Sequence, residues 1–137
     1  MLKLMKCIVV SCFFSIVIFG GAHFVCAQNM SNTVVTRQVK FARGQNKTIL
    51  RGSAKYGMSY VYNLVAKKGQ MMEILLTGKN AELKFSLIQP DEETAEDAFG
   101  VSEWSGELPQ SGKYSIVVVV NGENAASAPY TLEVKIK

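Results

Sequence analysis

"GKYSIVVVV", residues 112 to 120, is the stretch whose reading decides the fold. Side chains alternate across an extended chain, so Tyr114, Ile116, Val118 and Val120 share one face while Val117 and Val119 share the other. Both faces are apolar, which predicts a strand at the centre of a sheet rather than at its edge. The residues just before it, "LPQSGKY" (108–114), are a polar turn. Pro109 stiffens the entry, Gly112 permits a positive φ, and Ser111 and Lys113 flank that glycine.

The same period-two alternation runs outward in both directions. Downstream, Asn121-Gly122 is a hairpin signal stretched into a longer loop that ends at Pro129, after which Tyr130, Leu132, Val134 and Ile136 alternate against Thr131, Glu133 and Lys135. Upstream, strands are predicted over Val35 to Phe41, Thr48 to Ser53, Tyr60 to Ala66, Met71 to Thr77 and Leu83 to Leu87. Weaker ones fall near Val101 to Trp104 and at Glu107 to Leu108. "KKGQ" (67–70) reads as a hairpin turn joining the third strand to the fourth. No segment has helical periodicity. Seven or eight short antiparallel strands punctuated by turns predict an all-β fold, a single antiparallel β-sandwich.

Residues 1 to 27 stand outside that pattern. Lys3 and Lys6 precede a nearly continuous apolar run from Cys7 to Phe19, and Val25-Cys26-Ala27 places small residues at a cleavage site, so 1–27 reads as a cleaved signal peptide and 28–137 as the domain. The apolar run is shorter than the roughly 20 residues that span a bilayer. A periplasmic or secreted protein with no membrane attachment after cleavage is expected. Cys7, Cys12, Cys26 and the single histidine, His23, all lie within the signal. The mature chain is thereby left without disulfides, thiolate nucleophiles, histidine-based triads or nitrogen and sulfur metal ligands. Neither a cofactor nor a catalytic constellation is expected.

Charge is unevenly distributed. Residues 28 to 90 carry ten basic and two acidic side chains, residues 91 to 137 three basic and nine acidic. Such asymmetry either steers a charged partner onto one face or reflects solvated faces that folding brings near each other. Seven carboxylates crowd into Asp91 to Glu107. They supply oxygen ligands for Ca²⁺, but the fixed spacing and turn glycine of an EF-hand are missing, and a solvated loop or a glycosidase carboxylate pair are the competing readings. Tyr56 and Tyr60 near Arg51 and Lys55 fit strand packing better than a nucleic-acid platform. Asn29 and Asn46 begin sequons that matter only in a eukaryotic secretory route. Tyr114 fits two compatible roles. It can be a corner tyrosine whose hydroxyl bonds to nearby backbone, and by holding the turn it can set the shape in which Ser111, Gly112 and Lys113 project.

Taken together, "LPQSGKY" (108–114), "YNLVAKKGQ" (62–70), "PYTLEVKIK" (129–137), "VKFARGQ" (39–45) and "RGSAKY" (51–56) resemble, in order, the bacterial periplasmic inhibitors of goose-type (g-type) lysozyme. That resemblance implies a non-catalytic sandwich that blocks g-type lysozyme by inserting loops into its peptidoglycan-binding cleft. Ser111, Gly112, Lys113 and Tyr114 would form or support the inserted loop, and Asn121, Gly122, Glu123 and Asn124 would form a second. An ammonium and a hydroxyl suit the carboxylates of a glycosidase cleft. The chain departs from the family at "NGENAASAP" (121–129), where the family typically presents arginines. The alternative is an envelope binding module resembling the bacterial pre-peptidase C-terminal domains, which share the Gly-Gln turn and the Gly-x-Tyr strand start.

Overall fold

A computed structural model describes residues 33–123 and 127–137, so the signal segment 1–27, Asn29 and Asn124 lie outside the described residues. Among the described residues eight strands are formed: β1 (Thr33–Gln38), β2 (Lys47–Ala54), β3 (Met58–Ala66), β4 (Met71–Gly78), β5 (Leu83–Ile88), β6 (Glu103–Glu107), β7 (Gly112–Val120) and β8 (Ala128–Ile136). They build two four-stranded sheets, ordered β1-β3-β7-β5 and β2-β8-β4-β6. The all-β sandwich expected from the alternation is therefore what forms, and β7 is interior to its sheet as its two apolar faces required.

Every odd-numbered strand lies in one sheet and every even-numbered strand in the other. Each connection between described strands consequently crosses the sandwich. This corrects the reading of "KKGQ" as a hairpin turn: β3 and β4 do not pair, and the turn carries the chain from one sheet to the other. Residues after Asn121-Gly122 likewise lead from β7 to the opposite sheet. Two crossings return the chain in its original direction, so β1 and β3 pair in parallel, Thr33 opposite Met58, where an antiparallel pair was expected. Residues 89 to 101 restore the antiparallel pattern by running back along the free edge of β5. The amide of Ala95 donates to the carbonyl of Leu87, that of Leu87 to Ala98, and Phe85 and Val101 exchange both bonds at 2.8 and 2.9 Å. Val101 is thus part of this edge cover, and a single strand β6 replaces the two weak ones expected nearby.

The core lies between the sheets. Tyr62, Leu64, Phe85, Leu87, Tyr114, Ile116, Val118, Met72, Ile74, Leu132 and Val134 are almost fully buried. Side chains of this size each contribute about 1.5–3 kcal/mol when taken from water. Tyr62 and Tyr130 meet across the sandwich, hydroxyl to hydroxyl at 2.5 Å with their rings edge to face. Burial pushes the Tyr130 phenol well above the usual tyrosine range, reinforced by its bond to Tyr62.

Candidate functional site

The turn before β7 sits at the end of the sandwich shared with the β1–β2 and β3–β4 connections and residues 89 to 93. Tyr114 is its foundation. Its side chain is wholly buried, and its hydroxyl donates to the carbonyl oxygen of Gln110 at 2.7 Å while receiving the Gln110 amide at 3.3 Å. Burial raises the phenol above the usual tyrosine range, so it stays protonated and able to donate. This is the corner arrangement anticipated from the sequence.

Two neighbouring turns brace the same segment. On one side the Gly69 amide donates to the Leu108 carbonyl and the Leu108 amide to the Gln70 carbonyl, both at 2.8 Å, and the Lys68 amide donates to Ser111 Oγ at 2.8 Å. On the other side Gln110 Nε2 donates to Asp91 Oδ2 at 2.6 Å. That bond, followed by one from the Glu93 amide, holds the Asp91 carboxyl below the usual carboxylate range. Gly112 completes the contact. Its φ of +144° is one that side chains rarely adopt, and a Cβ there would stand 3.0 Å from Pro90 Cβ. The turn is thus held from both sides, with Ser111 and Lys113 exposed at its surface and Lys67 and Lys68 exposed in the adjoining turn.

Of the eight residues singled out from the sequence, Ser111, Gly112, Lys113 and Tyr114 are brought together, with Tyr114 beneath the turn rather than on its surface. Asn121, Gly122 and Glu123 are exposed at the far end of the same nine-residue strand. At about 3.3 Å per residue the two turns stand roughly 26 Å apart along β7. The bracing partners Lys68, Gln110 and Asp91 were not singled out. A signal existed in the polar residues Gln110 and Asp91 flanking Pro90 and Pro109, but pairing across nineteen positions leaves no local pattern.

The charge asymmetry also acquires a location. Arg37, Lys40, Arg43, Lys47 and Arg51 fall on β1, β2 and their connection, at one edge of both sheets. The carboxylates from Asp91 to Glu107 run along β5 and onto β6 at the opposite edge. Those five bases and these carboxylates therefore lie at opposite edges, while Lys84 on β5 and the pairing of Lys47 with Glu133 bring other members of the two sets together. Among the described residues no three acidic side chains converge as metal ligands would. A groove of about 520 Å³ on the outer face of the even-numbered sheet does include Glu73, Glu103 and Glu133. Glu133 pairs with Lys47 at 2.7 Å, and Lys137, with Lys135, holds Glu73 below the usual carboxylate range. A glycosidase acid requires the opposite shift.

Two four-stranded sheets packed face to face, with a braced polar turn at one end, place the chain among small all-β sandwich domains. Solved structures place it more closely. Aeromonas hydrophila PliG, a periplasmic lysozyme inhibitor of g-type lysozyme, shares 31% of its sequence with this chain at a TM-score of 0.63, over 77% of this chain and 98% of that one. Salmonella Typhimurium PliG, described in the same words, is 27% identical with a TM-score of 0.62, over 75% and 98%. The pre-peptidase C-terminal domain of a Bacillus anthracis collagenase shares the fold alone, at 15% identity and a TM-score of 0.51, over 77% and 96%. No model of a known protein family matches the sequence, and a comparison with curated proteins returns no match. The chain belongs to the family of periplasmic inhibitors of g-type lysozyme.

Proposed function

We propose that this protein inhibits g-type lysozyme without catalysing any reaction, by presenting the turn of Ser111, Gly112 and Lys113 to the enzyme's peptidoglycan-binding cleft. The observation that carries this reading is the bracing of the turn. Tyr114 holds it from below and the 67–70 and 89–93 turns hold it from either side, while the Ser111 hydroxyl and the Lys113 ammonium remain exposed. A loop already in its bound shape loses less entropy on association. An ammonium offered to the carboxylates of a glycosidase cleft makes charge-assisted hydrogen bonds.

In this reading Tyr114 positions the loop and contacts no partner. A second contact through Asn121, Gly122 and Glu123 would have to be made at the far end of β7. The arginine-free loop from 121 to 129 therefore leaves the 111–113 end unchanged. Residues 1 to 27 act as the export signal, and inhibition takes place in the periplasm or outside the cell.

Lysis of peptidoglycan by g-type lysozyme, measured with and without the purified protein and beside chicken-type and invertebrate-type enzymes, tests the reading. Selective protection against the g-type enzyme is expected, and Lys113→Ala should weaken it with no change in melting temperature. A folded sample that slows none of the three enzymes would sink the proposal.

A further inference from the structure

Phe99 is the most exposed of the large apolar side chains among the described residues, at 80% of its full surface. Isolated exposed hydrophobes are common and need no explanation. What distinguishes Phe99 is how it is held. Ala95 and Ala98 are buried and clip the segment to the edge of β5, and the bond from the Leu87 amide to the Ala98 carbonyl fixes their register. Asp97 at φ 57° and Gly100 at φ 62° bend the chain on either side of the phenylalanine. The Gly100 amide donates to Ser86 Oγ at 3.1 Å, and Trp104 Nε1 donates to the Glu96 carbonyl at 3.1 Å. With Ala98 turned into the core, its neighbour is driven outward. The result is an aromatic ring at the tip of a pinned turn, framed in sequence by the exposed carboxylates Glu96, Asp97 and Glu103.

We infer that Phe99 is a second anchor, which enters an apolar pocket bordered by lysine or arginine side chains on the lysozyme that the 111–113 turn engages. This rests on the inhibitor reading given above. Aromatic residues that fill a partner's pocket dominate binding energy when little ordering is needed to place them. The surrounding carboxylates select a basic rim and disfavour an anionic membrane surface. Position suits a shared partner. Phe99 lies beside Ser86, which pairs with Val117, five residues along β7 from Gly112. That is roughly 16 Å below the turn at the spacing of an extended chain, within the reach of one globular enzyme.

The test compares wild type, Phe99→Ala, Phe99→Trp and the pair Glu96→Lys, Asp97→Lys in inhibition of g-type lysozyme, with melting temperature recorded for each. Phe99→Ala should weaken inhibition by about tenfold or more. Its melting temperature should not move, and Phe99→Trp should retain inhibition. The charge-reversed pair should associate more slowly at low salt. Wild-type inhibition combined with undiminished inhibition by Phe99→Ala overturns this inference alone, whereas a wild type that does not inhibit removes the inhibitor reading and this inference together. Loss of inhibition matched by loss of stability in Phe99→Ala also overturns it. So does Phe99-dependent sedimentation with phosphatidylcholine vesicles, which would make the ring a membrane contact.

Discussion

The hydroxyl of Tyr114 donates to the carbonyl oxygen of Gln110 at 2.7 Å and accepts the amide of the same residue at 3.3 Å, so one side chain satisfies both backbone groups four positions back. Tyr114→Phe keeps the buried ring and removes only that pairing. The expected loss is roughly 1–2 kcal/mol of stability in urea unfolding. Because Gln110 also reaches Asp91, inhibition of g-type lysozyme should fall as well although the substituted position is buried. An unchanged inhibition constant would show that the corner does not set the shape of the turn.

Gly112→Ala faces two obstacles at once: a φ of +144°, and Pro90 carbons at 3.0 and 3.1 Å from the added methyl. The 111–113 turn can relieve this only by moving away from residues 89 to 93. A cost of about 1–3 kcal/mol in stability is expected. Weaker inhibition should accompany it, whereas Gly69→Ala, strained in the adjoining turn but with nothing within 4 Å of its Cβ, should lose stability through its φ alone.

Ser111→Ala and Lys113→Ala should part company. The Ser111 hydroxyl oxygen accepts the Lys68 amide at 2.8 Å, so its removal releases that amide, though not the Gly69 and Gln70 bonds to Leu108, as well as deleting a surface group. Amide exchange at Lys68 should accelerate in Ser111→Ala and stay unchanged in Lys113→Ala. Equal exchange in the two variants would remove Ser111 from the bracing set.

Acid should loosen the same turn. The Asp91 carboxyl is held below its usual range by Gln110 and then by the Glu93 amide, so its folded pKa lies below its unfolded one. The sign follows: the stabilisation is complete above the unfolded carboxylate value and disappears as the pH falls through the lowered folded value. Side-chain amide signals of Gln110 should shift through that acidic range in wild type, and Asp91→Asn should abolish the transition.

Gly52 sits under Tyr130. A methyl at position 52 would stand 2.6 Å from the Tyr130 hydroxyl oxygen and 2.7 Å from the carbon that bears it. That hydroxyl is committed to Tyr62 at 2.5 Å, so the ring cannot simply swing aside. Overpacking of this kind costs about 1–3 kcal/mol. Gly52→Ala should therefore lower the urea midpoint, and Gly52→Ala with Tyr130→Phe should recover part of the loss.

Much of this architecture can be read from single residues, and the limits are physical. Tyr114 through Val120 announce a two-faced apolar strand because alternation is a local property, and β7 is interior as a result. Lys67 to Gln70 and Asn121-Gly122 have the composition of hairpin turns, yet a chain that reverses within a sheet and one that arches between sheets need the same flexible, polar residues. Only the partner strand distinguishes them, and for β7 that partner is β3, joined through Lys113 opposite Val65. Residues 91 to 101 look like a solvated acidic loop because glutamates and aspartates outnumber the two alanines that clip it to β5. The spacing of Ala95 and Ala98, with Phe99 beside them, was the available signal. Serine, glycine and lysine at 111 to 113 were legible as a presented turn; their struts at Lys68 and Asp91 were not, since contacts between distant loops write nothing into either one.

The alternation of strands between the sheets also sets when the protein can fold. In one sheet β8 lies between β2 and β4, and in the other β7 lies between β3 and β5. Residue 54 pairs with residue 128, so β2 has no hydrogen-bonded neighbour until the chain has been synthesised past it. Folding rates fall as contacts lengthen in sequence, and topologies of this kind fold in about milliseconds to seconds. β7, which joins β3 to β5, and β8, which joins β2 to β4, come last from the ribosome, so a partly made chain can form the β1–β3 and β4–β6 pairs but can complete neither sheet until nearly the whole domain has been translated.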